Sequence, residues 1–159
     1  PFGHQPGTRL PLVVGIHGGP TAAVLLALDF NFNLGRAWLP AQGYAVLCPN
    51  YRGSTGYGDK FLKELNGSEN DIDVSDIVAG VQHLIQEGIA DPERIGVMGW
   101  SNGGYLANCL ITRKDLPFTL RAASSGAGII DTVLEWGSND EPACHVALKT
   151  GTPWQVPEI

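Results

Sequence analysis

The sequence predicts an α/β fold, a mostly parallel sheet with helices on both faces, and three observations carry that prediction. Short apolar runs rich in β-branched residues recur along the chain and stop at glycine or proline, which is how buried strands read. Between them lie segments whose apolar residues repeat every 3.6 positions, the mark of an amphipathic helix. Strands and helices in alternation form βαβ units, and these build parallel sheets.

Leu10–Ile16 (LPLVVGI) is the first such run, closed by His17-Gly18-Gly19-Pro20. The next segment, Asn33–Gln42, reads as a helix that stops at Gly43, followed by a second buried strand at Tyr44–Cys48 (YAVLC) and a loop from Asn50 to Gly58. The clearest helix comes next, with Val74, Ile77, Val78, Val81, Leu84 and Ile85 along one face. Glu69, Asp71, Asp73 and Asp76 crowd its start, where the helix dipole favours negative charge, and Gly88 is placed to end it. Asp91-Pro92-Glu93 turns the chain into a third strand at Ile95–Met98. A tight turn at Ser101 opens a helix through Tyr105, Leu106, Leu110 and Ile111, and a fourth strand fits Leu120–Ala123. Beyond Gly126 the periodicity fades, and the reading is an irregular segment to Ile159.

Composition narrows the function classes. The chain has 159 residues and a formal net charge of −6, with Arg113-Lys114 as its most basic spot. Nucleic acid and anionic membrane surfaces are therefore poor partners, and no apolar run approaches the length of a membrane span. The three cysteines, Cys48, Cys109 and Cys144, match no zinc or redox spacing. Gly53–Lys60 (GSTGYGDK) has Asp59 where a phosphate loop needs lysine, and Asp71-x-Asp73 lacks the other ligands of a calcium loop. No metal or cofactor is expected. The start at Pro1-Phe2-Gly3-His4 reads as a cut end and leaves the compartment open.

The chemistry concentrates at Gly99-Trp100-Ser101-Asn102-Gly103. This is a G-x-S-x-G pattern directly after a predicted strand and directly before a predicted helix, the nucleophile elbow of the α/β-hydrolase fold. Ser101 is the candidate nucleophile, with Gly99 and Gly103 leaving room for the sharp turn. Acyl transfer also needs donors aimed at the oxygen of the tetrahedral intermediate. One is expected from the backbone N–H of Asn102, the other from Gly18 or Gly19 in the His17-Gly18-Gly19-Pro20 loop.

These segments together resemble the prolyl-oligopeptidase family of serine peptidases, which includes dipeptidyl and acylaminoacyl peptidases. The matching text is PLVVGIHGGP at Pro11–Pro20, GYAVLCPNYRGSTGYGDKF at Gly43–Phe61 and DPERIGVMGWSNGGY at Asp91–Tyr105, with RAASSGAGIIDT at Arg121–Thr132 and GTPW at Gly151–Trp154. The resemblance implies Ser101 as nucleophile and the Asn102 N–H as an oxyanion donor. Where the dipeptidyl-peptidase branch places an oxyanion tyrosine, this chain has His17, which favours a backbone donor at Gly18 or Gly19. It further implies short peptides as substrates and a β-propeller domain ahead of the catalytic domain in the parent protein.

A serine nucleophile needs a base and an orienting acid, ordered Ser, Asp/Glu, His in this fold. The resemblance puts both beyond Ile159. Residues 1–159 then read as a partial α/β-hydrolase catalytic domain, incomplete at the C-terminus, lacking the triad Asp and His and inactive in isolation. His145, with Asp115, Asp131, Glu135, Asp140 and Glu141 between it and Ser101, could complete a triad by order alone. It lies in an irregular stretch with no strand-end acid ahead of it, and so reads as a surface or lid histidine. A carboxylesterase of the same fold and a non-catalytic hydrolase-like interaction domain are the alternative functions.

Overall fold

The four apolar runs become four strands of one sheet in the computed structural model, which describes residues 3–5, 7–26, 35–138 and 142–157. The strands are β1 (Leu10–Ile16), β2 (Ala45–Leu47), β3 (Ala90–Trp100) and β4 (Leu120–Gly126). Their order is β2-β1-β3-β4, and every pairing is parallel. The chain leaves β1 for β2 on one side and then crosses to β3 on the other. The reversal of direction opens a crevice between the carboxyl ends of β1 and β3, which is where ligands bind in sheets of this kind.

Helices α1 (Asp59–Lys63), α2 (Ile72–Gln86) and α3 (Asn102–Thr112) separate the strands, and α4 (Thr132–Ser138) and α5 (Pro142–Lys149) follow β4. Leu12, Val14 and Ile16 of β1 and Ile95 and Val97 of β3 alternate onto one sheet face. There they meet Val74, Ile77 and Val81 of α2 and Leu106, Ala107 and Leu110 of α3 in a single core. Fully burying an aliphatic side chain of this size contributes roughly 1.5–3 kcal/mol. The other face of β1 and β3 carries Val13, Gly96 and Met98, which are half-buried. The side chains of β4 from Arg121 to Ser125 are exposed.

Several expectations change in detail. Asn33 and Leu34 lie outside the described residues. The rest of the expected Asn33–Gln42 helix is a run of turns ending in one 3₁₀ turn at Pro40–Gln42, capped by left-handed Gly43. Leu39 keeps right-handed helical angles, but Pro40 has no N–H to continue an α-helical ladder, and left-handed Gly43 ends the turn. The Asp91-Pro92-Glu93 turn lies inside β3. The β1–β3 register jumps from Leu10↔Ala90 to Leu12↔Ile95, so the proline sits in a bulge where no ladder bond is asked of it. Beyond Gly126 the chain is more regular than its sequence suggests, since α4 and α5 occupy much of it.

The acids around the start of α2 are used singly, for more than the helix dipole. Asp76 holds the Arg52 side chain through both carboxylate oxygens, at 2.7 and 2.9 Å. Glu69 pairs with Lys149 of α5 at 2.7 Å, with both side chains largely buried. Asp73 lies on the buried face with Val74 and Ile77, 1% exposed, and accepts the Val74 N–H at 2.7 Å. Burial pushes its carboxyl up to about 6.

Because Asp73 keeps its proton longer in the folded chain, its contribution to stability is greatest below the unfolded pKa near 4. That contribution falls as pH rises to about 6. At neutral pH the penalty is roughly 3 kcal/mol. Asp73→Asn is therefore expected to raise Tm over the parent protein at pH 7.5 and to lose most of that advantage at pH 4. Thermal melts of both proteins at the two pH values test this, and an equal gap at both would refute it.

Candidate active site

β3 ends at Trp100 and α3 begins at Asn102, so a single residue, Ser101, makes the whole turn from strand to helix. It does so at φ 58° and ψ −125°, a region that costs a non-glycine residue of order 1–3 kcal/mol. The surroundings hold it there. The Ser101 N–H donates to the Gly126 carbonyl at the end of β4 at 2.9 Å, and the Ser101 carbonyl accepts the Tyr105 N–H at 3.0 Å. Ser101 itself is exposed, while Asn102, Gly103 and Gly104 behind it are buried. The serine therefore stands in solvent at the positive end of α3, where the first backbone N–H groups have no acceptor within the helix.

The flanking glycines are sites of backbone-to-backbone contact. A Cβ on Gly99 would run into the Gly103 carbonyl, and one on Gly103 would run into the carbonyl of Ile16. A Cβ on Gly18 would lie 2.9 Å from the Trp100 carbonyl oxygen and 3.2 Å from Ser101 Cβ. Residues of β1, the elbow and α3 thus touch with no side chain between them. The structure brings together all six residues singled out from sequence: Ser101, Asn102, Gly18, Gly19, Gly99 and Gly103.

His17 supports this junction from below. It is 6% exposed, and its ring stacks on Tyr51 at 4.4 Å with 10° between the planes. Burial lowers its pKa, with the Gly18 carbonyl pulling the other way. Nδ1 lies 2.8 Å from the Gly18 carbonyl oxygen. That oxygen can only accept, so the proton of the neutral ring belongs on Nδ1. Nε2 lies 3.0 Å from Ser54 Oγ, whose single hydroxyl proton goes either to Nε2 or to the Tyr51 carbonyl oxygen 2.7 Å away. With its carbonyl turned toward the imidazole, the Gly18–Gly19 peptide points the Gly19 N–H the opposite way.

Beside Ser101 opens a cavity of about 230 Å³. Gly19, Ser101 and Asn102 form one side, and Glu135, His145 and Lys149 form another. The stretch around His145, expected to be irregular, is helical. His145 rides on α5, is half-buried, and places Nε2 3.6 Å from Glu135 Oε1 of α4. α5 is fastened to the segment ahead of α2 by the Glu69–Lys149 pair and by the Gly67 N–H, which donates to the Leu148 carbonyl at 2.7 Å. Sequence reasoning missed the pairing of Glu69 with Lys149. They are 80 positions apart, and no local pattern announces such a pair. Among the described residues, no group of three or more His, Cys, Asp or Glu side chains is arranged to hold a metal ion, and no helix is long and apolar enough to cross a membrane.

A parallel sheet with a serine at a strained strand-to-helix turn over its switch point defines an α/β-hydrolase-type protein. The model of the prolyl oligopeptidase family matches residues 30–159, and the chain belongs to that family. It is 42% identical to the acylamino-acid-releasing enzyme of Arabidopsis thaliana over 113 residues, which is 71% of this chain and 14% of that enzyme. Among solved structures it superposes on an acylaminoacyl peptidase of Pyrococcus horikoshii with a TM-score of 0.81 at 28% identity, covering 96% of this chain and 24% of that one. A puromycin-hydrolysing peptidase of Mycobacterium tuberculosis gives a TM-score of 0.81 at 35% identity, covering 91% and 22%. The chain thus spans about a fifth or less of the length of the curated relatives it matches.

The glycine contacts make a direct prediction. Gly103→Ala would force its new methyl into the backbone carbonyls of Ile16 and His17, and overpacking of this kind costs about 1–3 kcal/mol. Tm should fall by several degrees, and labelling of Ser101 by a serine-directed probe should fall with it. A variant that melts and labels like the parent would refute a tight contact at Gly103.

Proposed function

We propose that this chain carries the nucleophile and the oxyanion donors of a serine-type peptidase that hydrolyses short peptides through an acyl-enzyme. The observation that carries the reading is Ser101, exposed and alone in a left-handed turn, with the backbone of Gly18–Gly19 against it. Ser101 Oγ attacks the scissile carbonyl carbon and passes its proton to a base. The carbonyl oxygen takes the negative charge and is held by the N–H groups of Asn102 and Gly19. Gly19 is favoured over Gly18 because it lines the cavity with Ser101 and its N–H is turned away from His17. The C–N bond then breaks, and the amine leaves with the proton. Water attacks the acyl-serine in the same way to release the acid.

The base and its orienting acid are assigned to sequence outside residues 1–159, as is a propeller that restricts access to small substrates. On that assignment residues 1–159 are inactive alone. Glu135 and His145 ride on helices and not on strand ends, and are assigned to the substrate-facing wall. The relatives named for acylamino-acid release and dipeptidyl cleavage support short N-terminal peptide substrates.

In the full-length protein, Ser101→Ala is expected to abolish both fluorophosphonate labelling and cleavage of N-acetyl-aminoacyl and dipeptidyl p-nitroanilides. Labelling that survives the substitution would refute Ser101 as nucleophile, and an absence of labelling in the parent would favour a non-catalytic hydrolase-like domain. Turnover of p-nitrophenyl esters with no anilide cleavage would make the protein a carboxylesterase. A companion variant, His145→Ala, should still label at Ser101 and still turn over. Loss of both would make His145 the base.

A further inference from the structure

We infer that the Tyr51 hydroxyl is a positioning group that couples the two backbone segments carrying the proposed oxyanion donors, an inference that rests on the reading of Ser101 above. Tyr51 is 1% exposed and among the largest fully buried side chains of the chain. Phenylalanine would fill the same volume without burying a hydroxyl, and a buried hydroxyl is costly unless it is bonded. The bonds this one makes are specific. It donates to the His17 carbonyl oxygen at 3.0 Å and accepts from Asn102 Nδ2 at 3.4 Å, a long bond. Only a group that both donates and accepts can join a carbonyl to an amide N–H in this way.

The two partners are the last residue before Gly18 and the residue after Ser101. The His17 carbonyl shares its peptide plane with the Gly18 N–H, so holding that oxygen sets the tilt of the plane from which the Gly18–Gly19 segment departs. Holding the Asn102 amide keeps its side chain beneath the elbow, so that the head of α3 faces the serine unobstructed. The ring reinforces both links. It stacks on the His17 imidazole, and Ser54 closes the loop between the His17 ring and the Tyr51 carbonyl. A plain core tyrosine would have no reason to bond these two segments and no others. Burial raises the phenol's pKa further above its ordinary value, with the Asn102 bond opposing, so the group stays a neutral hydroxyl throughout the working pH range.

The test is made in the full-length protein, with rates per active site counted by fluorophosphonate titration. Tyr51→Phe keeps the ring and its stack and removes only the hydroxyl. It is expected to lower kcat on a peptide anilide about tenfold, because oxyanion donors act only when well aligned. KM should stay within about twofold, because the loss falls in the transition state. A merely structural role would lower Tm and leave kcat per titrated site unchanged, and that result would overturn the inference. Asn102→Ala cuts the same link from its other end while leaving the backbone N–H in place. It should lower kcat similarly, and the double variant should fall little further than the worse single one. Losses that multiply would overturn the coupling.

Should Tyr51→Phe fail to melt cooperatively, Asn102→Ala decides alone, with a fall in kcat at unchanged KM expected and a parental kcat overturning the inference. Ser101→Ala separates the two levels. If it abolishes turnover while Tyr51→Phe does not lower kcat, only the Tyr51 inference fails. If Ser101→Ala stays active, the proposed nucleophile fails and this inference fails with it.

Discussion

The arrangement of the site depends on one constraint, the direct contact of three backbones where β1, the elbow and α3 meet. Gly103 sits against the carbonyls of Ile16 and His17, and Gly18 against Trp100 and Ser101. No side chain fits in either place. The parallel β1–β3 pairing sets the spacing of the two strand ends, and the core beneath them holds α3 down onto it. The strained backbone of Ser101 is tolerable only because its neighbours on both sides are fixed, by the Gly126 carbonyl and by the first bond of α3. Conformational strain is thereby exchanged for exposure of one hydroxyl at a helix N-terminus.

A second tier of interactions stabilises that contact from beneath. His17, Tyr51 and Ser54 form a buried polar cluster with stacked rings and hydroxyl bonds. Arg52, next in sequence, is held by Asp76 of α2. The loop between β2 and α1 thus connects the switch point to the helix layer. Its neighbour Asn50 clamps both the N–H and the carbonyl of Val24 beyond the glycine loop, at 2.7 and 3.0 Å.

Much of this was legible in the sequence. β1 was legible to its residue bounds because LPLVVGI is uninterrupted and ends at His-Gly-Gly-Pro, and the existence and buried face of α2 were legible because its apolar residues repeat over three turns. The elbow was legible because its glycines are required by local geometry. What was not legible depends on partners far along the chain. The acids at the start of α2 look alike in sequence, yet one is buried, one grips Arg52 and one reaches Lys149. α4 and α5 were missed because they are short and their apolar residues do not repeat long enough to stand out from loop. Residues 35–42, expected as the rest of a helix, form turns and one 3₁₀ turn because a proline without an N–H interrupts them.

The two sides of the cavity are built in different materials. On the side of Ser101, shape is set by main-chain atoms and by the absence of Cβ atoms, so few substitutions can be accepted there. The opposite wall is made of side chains on α4 and α5, and α5 is tied to the segment ahead of α2 by the Glu69–Lys149 pair and the Gly67–Leu148 backbone bond. Changes in that wall can alter what fits beside the serine without disturbing how the serine is held. Within one family the recognition surface is therefore free to diverge faster than the turn that carries the hydroxyl, and the two can change nearly independently.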